Sequence, residues 1–197
     1  MKPKVLHALL FAGIASTLVL SQLQASAPSA SGRSLVLQLR GTAIGEMRDI
    51  DTDGDGIVDT TANCFDVGLF DPRTGNQIGV ATDCLSDVGV MIDDDPDNAP
   101  LGWNIALTGT TFFHLPGGTL VAPGLTTVRP VLQPTERNGV TFTHVTGANG
   151  EGGLRYGEGR FTHSSGSARL SGLVDLARLG SDNEITFDCL FVVDLDQ

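Results

Sequence analysis

Thr143-His-Val-Thr-Gly-Ala-Asn-Gly-Glu-Gly-Gly-Leu-Arg-Tyr-Gly-Glu-Gly-Arg-Phe-Thr162 is the stretch on which the reading of the fold turns. An alternating β pattern leads into it, a glycine-dense bend crosses it, and a second β pattern leaves it. Glycine accepts positive φ and close backbone approach, so the run predicts a tight corner between two strands. A corner of this kind belongs to an all-β chain.

The rest of the sequence agrees. Little of it has helical periodicity, and short β-rich runs recur between Gly and Pro turn signals. Strands are expected over Ser34 to Gly41, Asn63 to Phe70, Gln77 to Cys84, Trp103 to Leu115, Thr119 to Val121, Thr126 to Leu132, Gly139 to Thr146, Gly157 to Ser164, Ala168 to Leu176 and Glu184 to Leu195. Pro123, Pro130 and Pro134 predict an irregular or edge-like region between Thr119 and Pro134. Many short strands imply a sandwich or a barrel. An immunoglobulin-type sandwich would carry a Cys…Trp…Cys order. Here Trp103 follows both Cys64 and Cys84, so an eight-stranded antiparallel β-barrel is expected.

The start of the chain reads differently. Lys2 and Lys4 precede an apolar run from Val5 to Leu20, and Ala25-Ser26-Ala27 then offers small residues at a cleavage spacing. This is the pattern of a secretory signal peptide over residues 1–27, cut after Ala25 or Ala27. An uncleaved anchor helix is the alternative. A flexible leader over 28–33 and one domain over 34–197 follow, long enough to bury a core. The expected location is secreted or periplasmic, with no membrane association once the signal is cut. All 23 acidic residues fall after the signal, against ten arginines once Lys2 and Lys4 are taken from the 12 basic residues. That excess of negative charge argues against nucleic acid and anionic membrane as partners.

An exported chain can hold a disulfide. Cys64 and Cys84 lie on strands joined at the Asp71-Pro72-Arg73-Thr74-Gly75 turn. Counting back from that turn sets them opposite one another, and a Cys64–Cys84 bridge is expected. A register slip of one residue would place them on opposite faces. Cys189 shares an apolar strand face with Ile185, Phe187, Phe191 and Val193 and reads as a buried thiol.

The sharpest chemical motif is Asp51-Thr-Asp-Gly-Asp-Gly-Ile-Val-Asp59. Asp51, Asp53 and Asp55 match positions 1, 3 and 5 of a calcium loop, with Gly56 at the turn, the Ile57 carbonyl at position 7 and Asp59 at position 9. Hard oxygen ligands at this spacing suit Ca²⁺ in a structural role. Ala62 stands where an EF-hand has its bidentate Glu, so that ligand would come from elsewhere, for example Asp49 or Asp66. An acidic Asp-Gly turn without metal has the same composition. A second acidic cluster, Asp93 to Asp97 around Pro96, reads as a solvated loop.

The glycine-dense stretch, with Val145 to Gly150, Leu154 and Gly157-Glu158-Gly159, resembles the corner of the allene oxide cyclase and dirigent barrel superfamily. Phe65 to Asp71 with Gln77 to Cys84 is similar to that superfamily's hairpin, and Phe112 to Gly124 to its strand–turn–strand with paired glycines. The similar segments, with the closing strand Ile185 to Val193, run in order over about residues 63 to 195. The resemblance implies an eight-stranded barrel with an apolar cavity, a homotrimer, and isomerisation, cyclisation or stereocontrolled coupling of a small apolar molecule. No organic cofactor is implied. Such chemistry depends on holding a flexible molecule in one reactive shape away from water.

The chain departs from the superfamily where catalysis is expected. Val67 stands about where the plant cyclases carry an Asn, and the acidic region near the first strand has no clear counterpart. Asp66, Glu46 and His144 are the candidate catalytic residues, Glu46 also reading as a solvated turn residue. His114 and His163 read as packed or surface histidines. A cavity lined by Phe65, Val67, Phe142, Phe161 and Phe187, with at least one acid, is the expectation for an enzyme. The same cavity without the acid fits a non-catalytic binding protein, and a filled interior fits a calcium-stabilised extracellular structural module.

Overall fold

A computed structural model describes residues 32–92, 103–129, 135–137, 140–148 and 153–196. The expected signal peptide, most of the leader and the Asp93 to Asp97 cluster lie outside these residues. Among the described residues no helix is long and apolar enough to cross a membrane.

The chain is all-β, as expected. Its strands are β1 (Arg33–Ile44), β2 (Glu46–Ile50), β3 (Thr60–Phe70), β4 (Gln77–Ile92), β5 (Trp103–Leu115), β6 (Gly118–Arg129), β7 (Thr135–Arg137), β8 (Val140–Ala148), β9 (Tyr156–Gly157), β10 (Ser165–Asp175) and β11 (Glu184–Asp196). All pairings are antiparallel. The path of pairing runs β7-β8-β10-β11-β1-β3-β4-β5-β6-β9, with β2 added on β3 and a further pairing between β6 and β8. The sheet therefore has eleven strands where eight were expected. β2, β7 and β9, of 5, 3 and 2 residues, are the short additions.

Several sequence boundaries move. Arg33 opens β1, shortening the expected leader by one residue. Two expected strands merge into β6, which runs through Pro123. The expected strand Gly157 to Ser164 is instead the end of β9 followed by a 3-10 turn over Gly159–Phe161. There the Phe161, Thr162 and Ser164 N–H groups donate locally to the Glu158, Gly159 and Phe161 carbonyls, while those of Glu158 and Arg160 donate to Thr119 and Gly117 at the head of β6.

Alternation along the strands separates two faces. On β11, Ile185, Phe187, Cys189, Phe191, Val193 and Leu195 are all buried, while the residues between them are not. β3 sends Phe65, Val67 and Leu69 to the same core. Phe113 packs edge-on against Phe191 at 4.9 Å between centroids, and Phe65 against Phe187 at 6.1 Å. Asn183, with φ of 52°, closes one end of this core. Its carbonyl and side-chain amide bond the two backbone groups of Gly45, each at 2.7 Å, and Asn63 donates to its Oδ1 at 2.6 Å.

A second, smaller cluster lies on the other face of β3 and β4. Cys64 and Cys84 are directly paired in register and disulfide-bonded. Ile50, Ala62 and Phe112 cover the bridge. Cys189 is free and buried, as the sequence indicated.

Candidate functional site

The core is not completely filled. A void of about 50 Å³ reaches into it, with the half-buried Asp83, Leu85 and Thr126 in its lining. Leu39 of β1, Asp83 and Leu85 of β4, and Leu170 and Val174 of β10 form part of its wall. Leu107 and Thr111 of β5, Ala122 and Thr126 of β6, and Phe187, Cys189 and Phe191 of β11 form most of the rest. Gly109 and Gly124 also line it and face each other in register across β5 and β6, so that layer of the sheet contributes no side chains. Gly109 has no room for one: a Cβ there would run into the Cys84 carbonyl. β4 shifts register next to this point, between Leu85 and Asp87.

One carboxyl enters this apolar space. Asp83 alternates with Ala81 and Leu85 on the inward face of β4, opposite Phe65 on one side and Thr111 on the other. The Thr111 hydroxyl donates to Asp83 Oδ1 at 2.7 Å. Burial pushes the Asp83 carboxyl upward in pKa, and the Thr111 bond opposes this only in part. Cys189 faces the same void and donates its thiol proton to the Leu173 carbonyl at 3.3 Å. Burial, with the Asp83 charge second, pushes that thiol up to about 12, so it stays protonated and is a poor nucleophile.

Of the aromatic residues expected to line a cavity, Phe187 does so. Phe65, Val67, Phe142 and Phe161 are buried in the core but do not form the wall of the void. Asp83 was not among the candidate residues. Its signal was available in the alternation of Ala81, Asp83 and Leu85, which sets one acid among apolar residues on a single strand face.

The sequence candidates are placed elsewhere. Arg48 on β2 holds Asp66 through two bonds, of 3.0 and 2.8 Å, and reaches Glu46 at 3.1 Å. Thr82 also donates to Asp66, at 2.7 Å, and contacts His114 Nε2 at 3.1 Å. The Arg48 guanidinium, ahead of the Thr82 bond, holds the Asp66 carboxyl below the usual carboxylate range. Asp66 and Glu46 are exposed and do not border the void. His144 is within β8, its backbone opposite Leu173 and Arg129, and its side chain lies outside the described residues.

The aspartate loop joins β2 to β3 on the outside of the molecule. Asp51, Asp53 and Asp59 each offer a carboxylate oxygen within 4.8 Å of the others. Asp55 is outside this group and accepts from the Ile57 N–H at 2.7 Å. Asp51 collects the N–H groups of Gly54 at 2.6 Å, Gly56 at 2.7 Å and Asp53 at 3.1 Å. Those backbone donors, Gly54 first, hold its pKa down. Asp59 is lowered by Thr52, whose hydroxyl and N–H both bond it. Asp49 is occupied by the Thr61 hydroxyl at 2.6 Å. Gly54 has φ of +80° and lies under the Tyr156 ring, 2.8 Å from where a Cβ would stand. The Tyr156 hydroxyl donates to the Asp51 carbonyl at 3.4 Å. The loop is thereby fastened to the glycine-dense segment that carries Tyr156.

No protein-family model matches the chain, and no curated protein matches it.

Proposed function

We propose that this protein is exported and binds a small, largely apolar molecule inside its sheet, beside Asp83. The observation that carries this reading is the void of about 50 Å³ with a half-buried carboxyl in its largely apolar wall. Void and carboxyl together resemble a ligand site, in which apolar walls give affinity and a few polar groups fix orientation. The volume suits the polar end of a molecule, whose body extends toward the partly exposed Leu85 and Thr126. Isomerisation or cyclisation, as the superfamily resemblance implies, would use Asp83 as its acid, because an acid kept protonated in an apolar site can donate to a developing oxyanion.

The scaffold for this reading is an eight-stranded barrel of the allene oxide cyclase and dirigent type. Support comes from β8, which pairs with β10 through Arg169↔Ala148 and with β6 through Leu125↔Ala148, and from the eight strands that remain when β2, β7 and β9 are set aside. Export accords with the disulfide between Cys64 and Cys84. A homotrimer, which the resemblance also implies, would cover exposed aliphatic residues such as Val36 on β1 and Leu190 on β11.

Native mass spectrometry of the protein purified from its exported form tests the reading. Expected is an added mass of a small organic molecule, lost in the void-filling Gly124→Val variant. Protein that carries nothing, and takes up nothing from a panel of small apolar compounds, would sink it. Subunit number comes from the same spectra.

A second reading, a calcium-stabilised extracellular module, is favoured by the convergence of Asp51, Asp53 and Asp59. It expects calcium to raise the melting temperature of the protein and Asp51→Asn to abolish that rise. An unchanged melting temperature would remove it.

A further inference from the structure

The surroundings of Asp83 specify more than an apolar ligand. Among the described residues lining the void there is no Lys, Arg or His. The titratable group that shares the lining is Cys189, whose thiol is already directed to the Leu173 carbonyl. An ionised carboxylate here would have no cation beside it and, half-buried among apolar side chains, only limited water, which favours the protonated form.

The geometry says where that proton is. Asp83 Oδ1 accepts from Thr111, and this is the carboxyl's hydrogen bond among the described residues. No buried side-chain oxygen or nitrogen among them lacks both a partner and access to open space. Oδ2, without a partner, therefore opens on the void. A neutral carboxyl has one O–H donor, and with Oδ1 receiving the Thr111 hydroxyl the proton belongs on Oδ2. The void thus presents the Asp83 O–H as a donor, with the Thr126 hydroxyl as the other polar side chain of the lining not engaged, among the described residues, by Asp83 or a backbone carbonyl.

We propose that the occupant is an uncharged molecule carrying an oxygen acceptor, such as a ketone or ester carbonyl or an ether, seated on the Oδ2 proton of Asp83. Its carbon body packs against Phe187 and Leu170. The proposal rests on the reading of the void as a binding site. A hydrocarbon leaves the donor unpaired, a carboxylate brings a second acid into a space without a cation, and an amine requires Asp83 to ionise in apolar surroundings.

Four probes of one shape separate these cases: cyclopentanone, methylenecyclopentane, cyclopentylamine and cyclopentanecarboxylate. Each is titrated near neutral pH into the full exported chain, and shifts of the void-lining methyl groups are followed by NMR. The ketone is expected to bind roughly tenfold or more tightly than the hydrocarbon, one hydrogen bond's worth, with both ions weaker than the ketone. Asp83→Leu should make ketone and hydrocarbon equal, and Asp83→Asn, which keeps a donor, should retain much of the preference. The wild-type comparison stands even where a variant fails to fold. Equal binding of ketone and hydrocarbon by the wild type overturns the acceptor proposal and leaves the void as a binding site. Tightest binding of the amine overturns it in favour of an ionised Asp83. Binding of none of the four overturns both the proposal and the reading beneath it.

Discussion

Asp83 and the aspartate loop are the same chemical group in opposite settings. Asp83 has one hydroxyl partner and largely apolar neighbours, and its carboxyl is pushed up. Asp51 is at the surface, takes three backbone N–H groups, and is pulled down. Distance along the chain does not explain the difference. The inward face of β4 offers no backbone donor, because its amides are spent in the ladders with β3 and β5. The loop, held open by Gly54 and Gly56 at positive φ, turns its amides toward a carboxylate. A carboxyl supplied with donors behaves as an anion, and one denied them behaves as a donor itself.

Substitutions can test this contrast, beginning with the largest effect. Phe113, fully buried, packs on Phe191, which with Asp83 lines the void. Phe113→Ala should cost roughly 3–5 kcal/mol in urea unfolding and give water access to Asp83, lowering its pKa. On the outer layer, the double substitution Cys64→Ala and Cys84→Ala opens a bridge across a separation of 20 residues. It should cost about 3 kcal/mol while leaving the Asp83 titration unchanged. A changed Asp83 titration would mean that the two layers are coupled.

Thr111→Val removes the partner of Asp83 and should cost roughly 1–3 kcal/mol, with the Asp83 pKa rising further by carboxyl-carbon NMR. The pH dependence of stability gives a finer test. Asp83 has a folded pKa above its unfolded value of about 3.9, so the folded state binds more protons between the two. Its contribution is full below about pH 3.9 and is lost as pH rises through the folded pKa. Asp83→Asn should remove that decline. Asp51 and Asp66 have the opposite sign: their contribution is present above the unfolded value and lost as pH falls through their depressed folded pKa. The smallest effect belongs to Asp66→Asn, which weakens a partly exposed pair with Arg48. Double-mutant cycles should give it roughly 0.2–1 kcal/mol, less in high salt.

Much of the scaffold was legible because strand alternation and turn residues are local signals. The Cys64–Cys84 pairing followed from counting back from one turn, and the observed register agrees. The buried face around Cys189 followed from period-two apolarity on β11. Other features carried no local mark. β2 is short and polar, and it exists because it pairs with the start of β3. Phe161 has a strand-like neighbourhood in sequence, yet its backbone closes on itself in a 3-10 turn.

The candidate site divides along the same line. Sequence established the all-β class, the disulfide partners and the clustering of aspartates at residues 51–59, because each depends on spacing along one or two neighbouring segments. Tertiary structure decided which carboxyl meets the interior. Leu39, Asp83, Thr111, Gly124, Leu170 and Cys189 come from six strands, and the void among them depends on a glycine pair facing across β5 and β6. Absent side chains leave no pattern in a sequence. Only when six strands are set around them do two glycines become a space, and Asp83 the acid that opens on it.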